Sequence, residues 1–510
     1  MDILTKVLSQ FLRNRLNKID LFTEEAGQIQ YNQLRTLVSF ARNTEWGKMF
    51  DFQSISSYEA FRERVPLQTY EEIKPFVNRM IHGEKNVLWP SVVKWYAQSS
   101  GTTNDRRKFL PVTNEILQHC HYRGGYDCVA LYLRENPESR FFRGKGLILG
   151  GSHSPSQLNK NAHCGDLSAV LLQHLSPFVN HFRVPSKEII MMDEWESKIK
   201  AIVENTYNKN VNNLSGVPSW VLLLIKAVLE KTGREYLTDV WPNLEVFFHG
   251  GISFEPYRHQ YKSLIPSEKM HYMDTYNASE GFFGIQDKLD DKSMLLMLDY
   301  GTFYEFIPVD ELNNPEPTVI PLESVEAGKN YAVVISTTGG LWRYIIGDTI
   351  RFTSLRPYKF VITGRTQHYI NAFGEELTVG NADKALSTTC KETDAVVKEY
   401  TVAPLFLLDN AKGKHQWLIE FEKEPTIPIE HFAQILDKHL RTLNADYDAK
   451  RYKSLSLMCS DVITAKAGLF YHWLKEKGKL GGQHKIPRLS NDRIYLEELL
   501  TINQTKFTEN

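Results

Sequence analysis

Between residues 92 and 248, short strand-like runs alternate with helical patterns, and after Gly364 the alternation starts afresh. Residues 92–97, 146–149 and 244–248 are apolar runs of strand length. Helical spacing of apolar residues fills 116–134 and 219–232 between them. Strands separated by helices predict an α/β body, because a helix is the usual crossover between strands of one sheet. Residues 1–90 read as mostly helical and close at Pro90. The β-branched runs 331–336 and 360–363, set off by Gly-Gly and Arg-Pro breaks, add a β-rich region to the body. Beyond Gly364, a helix near 379–389, strands near 396–407 and 416–422, a helix near 429–443 and a strand near 454–459 predict a small α+β unit. The boundary lies near 364–375, so two domains, 1–368 and 369–510, replace the three that 510 residues suggest at roughly 150 per domain.

Charge narrows the partners. The chain carries 60 Lys+Arg against 61 Asp+Glu, a net charge of −1. A nucleic-acid binder needs a basic excess to neutralise phosphates, so nucleic acid is excluded as a partner and any anion must be held by a few local groups. One stretch breaks the balance: residues 464–493 hold seven basic side chains, Lys485 among them, against Glu476 and Asp492. Five cysteines at wide spacing, with no C-x-x-C, fit neither a disulfide framework nor a zinc ribbon and suit a reducing, cytoplasmic setting. His119-Cys120-His121 are neighbours on a predicted helix. They point in different directions and read as ordinary packing rather than as a metal site.

Residues 1–22 lack an apolar core of signal-peptide type. Ile3, Leu4, Val7, Leu8, Phe11, Leu12 and Leu16 instead recur at helical spacing, an amphipathic helix expected to pack on the body rather than lie on a membrane. The most apolar stretch, 220–229, is too short to span a bilayer, so no stable membrane insertion is expected.

Three motifs carry chemistry. Ser99-Ser100-Gly101-Thr102-Thr103 ends a predicted strand and leads through Arg106-Arg107 to Lys108. Hydroxyls and backbone N–H groups around a glycine converge on phosphate oxygens, although such a run alone is most often only a turn. No Walker A pattern occurs, and no G-x-G-x-x-G follows a strand, so neither a P-loop nor a dinucleotide fingerprint is present. The second motif, Tyr276-Asn277-Ala278-Ser279-Glu280-Gly281, sets a carboxylate beside a hydroxyl and an aromatic ring, which suits Mg²⁺ and a nucleotide base. Taken alone, Glu280 reads as a helix cap or a surface charge. In the third, Asp348 follows Gly347 in a turn between two apolar runs, where a carboxylate can accept from a ribose diol.

In this order, with Gly364-Arg365 at the domain boundary, the motifs resemble those of the adenylate-forming superfamily of acyl-CoA synthetases, luciferases and peptide-synthetase adenylation domains. More narrowly, the chain resembles the Gretchen Hagen family of acyl-acid amido synthetases, known for plant auxin- and jasmonate-conjugating enzymes. The likeness rests on Lys-Phe-Leu-Pro-Val-Thr at 108–113, Tyr-Asn-Ala-Ser-Glu-Gly-Phe-Phe-Gly at 276–284 and Gln-His-Lys-Ile-Pro-Arg at 483–488. It implies a large N-terminal adenylate-forming domain, of mixed sheets with helices and a β-rich subdomain, and a small mobile α+β C-terminal domain. By this resemblance Ser99, Ser100, Gly101, Thr102, Thr103 and Lys108 hold the β- and γ-phosphates of ATP. Gly250 and Gly251 pass beside the adenine and Tyr276 lies near it, with Ser279 near the α-phosphate and Glu280 on Mg²⁺. Asp348 takes the ribose hydroxyls with help from Arg365, and Lys485 reaches the α-phosphate and the acyl carboxylate. The chain departs from its relatives at Asn104-Asp105, where glycine is common, and at Gln367, where the superfamily's hinge aspartate stands.

The implied chemistry is adenylation of a small carboxylic acid, with loss of pyrophosphate, and then displacement of AMP by an amine, an amino acid in this family. A thiol acceptor, as in acyl-CoA synthetases, and a catalytically silent nucleotide-binding scaffold are the alternatives. Tyr122, Arg123 and Tyr126, with Val217 and Trp220, are candidates for the acyl pocket, Arg123 facing a second acidic group of the substrate. All five read equally well as packing residues.

Overall fold

The computed structural model describes the chain except residues 1–2, 100–107, 151–155, 193, 252–253, 256, 313, 366–368, 371, 373–374, 376, 407–412, 445–446, 449–450, 452–456, 479–485, 491 and 505–510, and except the side chains of residues 3, 4, 99, 195, 219, 365 and 369. The chain forms two compact units. One comprises Met1–Ile252, Leu264–Val361 and Gly481–Gln483, the other Ser253–Ser263, Ile362–Leu480 and His484–Asn510.

The first unit is built on a 12-stranded mixed sheet. Its parallel half runs Arg183–Val184, Lys145–Ile148, Val211–Gly216, Val246–Gly250, His271–Ala278, with helices in the connections. The central strands Val211–Gly216 and Val246–Gly250 are largely buried, as coverage on both faces demands, with Asn212, Asn213 and His249 buried among their apolar residues. From His271–Ala278 onward the sheet turns antiparallel, through Gly281–Gln286 and Met294–Leu296 to Tyr358–Arg365, Tyr344–Leu355, Asn330–Thr337 and Thr302–Pro308. A separate four-stranded sheet pairs Lys108–Val112 with Trp95–Ser99, then Ala162–Gly165 and Ser156–Asn159. The core beneath is aromatic, with Trp342 edge-on to Phe52 at 4.8 Å between ring centres.

The N-terminal helix, Ile3–Asp20, packs on the body through Thr5, Leu12, Leu16 and Ile19, while Val7 and Phe11 of the expected stripe are 48% and 78% exposed. Arg15 turns inward: its Nε donates to Asp127 at 2.8 Å, and its terminal nitrogens grip both oxygens of Asp299. Among the described residues no helix is long and apolar enough to cross a membrane, and Pro218–Thr232, which holds the most apolar stretch, lies largely buried.

In the second unit a three-stranded sheet joins Val396–Phe406 antiparallel to Gly413–Lys423, and the latter parallel to Asp461–Ala465. Period-two alternation sorts its side chains. Tyr400, Val402, Trp417 and Ile419 face the helices Val379–Thr393 and Ile429–Leu443, while Ala403 and Leu418 face Leu469–Glu476 and Ile494–Gln504. The strand expected near 454–459 is displaced. The parallel ladder recruits Asp461–Ala465, from Gln416↔Asp461 to Glu420↔Ala465, leaving Leu457 one isolated bridge to Gly413; residues 452–456 lie outside the described residues. The apolar run there matches a strand locally, but its partner's free edge decides which residues pair.

Candidate active site

The second motif folds as a hairpin. Tyr276-Asn277-Ala278 ends the strand His271–Ala278, Ser279-Glu280 make a two-residue turn, and Gly281 pairs back to Ala278. Turn residues are ordinarily solvated, yet Ser279 and Glu280 are only 5% and 8% exposed. Glu280 is therefore neither a helix cap nor a surface charge. Tyr276 packs edge-on to Phe283, 5.0 Å between centres, and its hydroxyl donates to Asp348 at 2.5 Å.

Asp348 corrects its expected setting: it lies not in a turn between strands but within one, Tyr344–Leu355. The ladder with Asn330–Thr337 pairs Ala332↔Thr349 and Val334↔Ile345, so residues 346–348 bulge from it. Gly347 at φ 92 allows the bulge, because a left-handed backbone is costly for a residue with a Cβ. Bulges re-aim side chains, and this one turns the carboxylate toward Tyr276.

Gly250 ends the strand Val246–Gly250 opposite Thr275, the neighbour of Tyr276. A Cβ on Gly250 would stand 2.3 Å from the Thr275 carbonyl oxygen, so the close pairing of the two strand ends requires glycine there. Gly251 follows at φ 83. One sheet thus brings together Gly250, Gly251, Tyr276, Ser279, Glu280 and Asp348.

Lys108 stands on the four-stranded sheet, paired across its hairpin with Ser99; its amine lies 5.7 Å from the ring centre of Tyr70. The backbone of Ser99 closes the preceding strand. Ser100, Gly101, Thr102 and Thr103 lie outside the described residues, as do Lys485 and the side chains of Ser99 and Arg365.

The acyl-pocket candidates fall on two helices. Tyr122 donates to the Leu171 carbonyl at 2.8 Å, and burial pushes its phenol up. Arg123 donates to the Asp299 carbonyl at 3.0 Å and lies 3.8 Å from the Asp299 carboxylate, so within the chain its acidic partner is Asp299, already shared with Arg15. Tyr126 is 49% exposed. Val217 precedes, and half-buried Trp220 sits in, the first turn of Pro218–Thr232.

The predicted helix over 116–134 is interrupted by a π-helical turn, Leu117–His121. Such a turn rotates the side chains that follow it. Cys120 Sγ accepts from the Phe282 N–H at 3.1 Å, and His121 Nδ1 meets Asn277 Oδ1 at 3.0 Å. Burial holds the His121 imidazole down at about 4, the Asn277 contact raising it only in part. Asn277 accepts, so Nδ1 carries the proton, and among the described residues the buried Nε2 has no hydrogen-bond partner. Read as packing from the sequence, His121 touches the Tyr276–Glu280 hairpin; its place in the motif's neighbourhood had no local signal.

The fold is that of the adenylate-forming enzymes. It superposes on 2-hydroxyisobutyryl-CoA ligase in its postadenylation state with a TM-score of 0.60 at 12% identity, covering 94% of this chain and 92% of that one. The models of the GH3 family N-terminal domain (residues 15–270), central domain (295–365) and C-terminal domain (380–494) all match, and the chain belongs to the GH3 family. It is similar to the indole-3-acetic acid-amido synthetase GH3.4 of Arabidopsis thaliana, 23% identical over 93% of this chain and 91% of that protein. It is also similar to the 4-substituted benzoates-glutamate ligase GH3.12 of the same plant, 22% identical over 95% and 96%. The structure of the GH3.15 acyl acid amido synthetase matches with a TM-score of 0.79 at 18% identity, covering 95% of each chain.

Proposed function

We propose that this chain is an ATP-dependent acyl-acid amido synthetase that adenylates a small carboxylic acid and passes the acyl group to an amino acid. The activities named for its relatives support the reaction. The observation that carries it within this chain is the bond from Tyr276 to Asp348, beside the buried Ser279-Glu280 turn. A phenol that donates to a carboxylate orients it as an acceptor suited to the two hydroxyls of a ribose.

In this reading Gly250 and Gly251 pass beside the adenine, Tyr276 borders it, and Asp348 with Arg365 takes the ribose. Ser99, Ser100, Gly101, Thr102, Thr103 and Lys108 hold the β- and γ-phosphates, and Ser279 meets the α-phosphate. Among the described residues no three potential ligands cluster to hold a metal. A single carboxylate, Glu280, fits Mg²⁺ that arrives with the nucleotide, since Mg²⁺ takes one or two carboxylates and fills its shell with phosphate and water. When bound, the ion supplies countercharge to the phosphates. An acid oxygen attacks the α-phosphorus and pyrophosphate leaves, Lys108 and Lys485 offsetting the charge that builds on the phosphate oxygens. The amine nitrogen then attacks the acyl carbon, AMP departs, and the amine proton is released. Rotation of the small domain about 364–375 separates the two half-reactions. Five cysteines free of disulfides support a cytoplasmic setting.

ATP–pyrophosphate exchange across a panel of carboxylic acids tests the first step, with exchange expected for at least one acid. Amino acids against coenzyme A as acceptors test the second, with amide as the expected product. ATP binding without exchange for any acid would instead mark a silent scaffold.

A further inference from the structure

The chain just beyond Lys485 is fastened down with unusual completeness. The Val402 N–H donates to the Arg488 carbonyl at 2.8 Å, the Ser490 N–H to the Val402 carbonyl at 3.0 Å, and Thr401 Oγ1 to the Pro487 carbonyl at 2.6 Å. Leu489 thereby joins Val402 in a parallel bridge. Arg488 anchors this stretch through its side chain as well. Nη1 lies 2.6 Å from Asp383 on the helix Val379–Thr393, and Nη2 donates to the Tyr257 hydroxyl at 3.2 Å and lies 3.5 Å from Glu399. The guanidinium carbon sits 4.8 Å above the Tyr400 ring, and the Tyr400 hydroxyl donates at 2.6 Å to the same Asp383 oxygen. Tyr257 belongs to the same compact unit as all of these.

Burying a guanidinium is expensive, and a buried ion pair adds little net stability against apolar residues of equal volume. What such a cluster supplies is a single position: two carboxylates, a phenol and a ring face admit one placement of a planar fork. The backbone so placed begins at Ile486, which is itself buried, and Lys485 is its covalent neighbour.

We propose that Arg488 is a positioning residue for adenylation, fixing the root of the segment that carries Lys485. This rests on the role given to Lys485 above. Arg488 does not touch the reacting atoms in this account; it acts through the lysine.

The test is a double-mutant cycle on the full-length chain, read as ATP–pyrophosphate exchange. Misplacing a catalytic group by about 1 Å costs on the order of 100-fold, so Arg488→Gln should lower exchange kcat by roughly that factor. KM for ATP and acid should stay within about 2-fold, because ground-state binding is not what is lost. Arg488→Lys keeps the charge but cannot meet Asp383, Glu399 and Tyr257 at once, and should recover exchange in part. The decisive readout is Lys485→Ala combined with Arg488→Gln. It should be no slower than Lys485→Ala alone, because the lysine that Arg488 serves is already gone. Thr401→Val, which removes the bond to Pro487 without disturbing a charge, should show a smaller loss with the same non-additivity, and serves even if Arg488→Gln fails to fold. Multiplication of the two losses, or wild-type exchange in both Arg488→Gln and Thr401→Val, would overturn the proposal while leaving Lys485 its role. Unchanged exchange in Lys485→Ala would overturn both.

Discussion

Replacing Arg343 by methionine isolates the energetic role of a buried charge beside the candidate site. The Arg343 guanidinium holds Glu305 through Nε and Nη2, both at 2.9 Å, and its Nη1 donates to the carbonyls of Val65 at 2.7 Å and Arg62 at 3.0 Å. The two side chains are 5% and 1% exposed. Arg343 sits at φ 43, and the backbone on either side of the next residue, Tyr344, is tied to Gln68, which donates to the Arg343 carbonyl and accepts from the Ile345 N–H, both at 2.9 Å. The pair therefore clamps the helical N-terminal segment to the start of the strand that bears Asp348. Arg343→Met leaves the Glu305 carboxylate buried with the Tyr58 hydroxyl, 3.1 Å away, as its remaining donor. An uncompensated buried charge costs about 3–5 kcal/mol, and the two stripped carbonyls add about 1 kcal/mol each. The expected loss of about 5–7 kcal/mol is a large share of the roughly 5–15 kcal/mol that keeps a domain folded. Adding Glu305→Leu removes the stranded charge and should restore about 2–3 kcal/mol, with the carbonyls and Tyr58 still short of partners. Urea unfolding followed by circular dichroism and tryptophan fluorescence, fitted with separate transitions for the two units, measures both variants. An Arg343→Met protein within about 1 kcal/mol of wild type, the range of an ordinary substitution, would refute this reasoning. So would a double variant no more stable than the single.

Tyr276→Phe removes the donor from Asp348, a hydrogen bond to a charged group worth about 1.5–3 kcal/mol, and should weaken ATP binding roughly 10- to 100-fold at unchanged fold. Calorimetric titration with ATP checks it, and unaltered affinity would separate Asp348 from the nucleotide. His121 titrates near 4 in the folded chain against 6.5 for an ordinary histidine, so the unfolded chain binds the extra proton between those values. The stability it secures is complete above pH 6.5 and falls as the pH drops to 4, by about 3 kcal/mol in all. His121→Gln should lose that slope, seen in urea midpoints at pH 7.5 and 4.5, and an unchanged slope would place the titration elsewhere. Gly250→Ala forces a Cβ to 2.3 Å from the Thr275 carbonyl, which should destabilise by about 1–3 kcal/mol and lower the exchange rate as the strand ends part; a wild-type melting temperature would contradict the geometry.

The parts of the site that were legible in the chain are those whose chemistry is local. Ser-Ser-Gly-Thr-Thr before Lys108 states a turn chemistry within a few residues, whereas Gly250-Gly251 enters through the family resemblance and Gly347-Asp348 is expected in a turn rather than within a strand. The structure places a strand end, a close strand pair and a bulge at those positions. The small unit was legible for the same reason: helical spacing over 429–443 is the helix Ile429–Leu443. Side-chain partnership was not legible. Arg123 reads as a match for an acidic group of the substrate, and nothing near it or near Arg15 in the chain points to Asp299, which both hold. Arg343 and Arg488 have no local sequence sign of their partners, and both lie buried against carboxylates.

The alternation of strands and helices determines a two-part α/β chain from the sequence alone, because period, turn chemistry and composition need no knowledge of distant neighbours, and the ligase reading comes through the family resemblance that the order of the motifs carries. Tertiary structure alone decided that Tyr276 answers to Asp348, that Glu280 is buried in its turn, and that Arg488 roots the stretch after Lys485. Each of these depends on which strand edges meet and in what register. A one-residue slip in that register would send the same side chain to the opposite face.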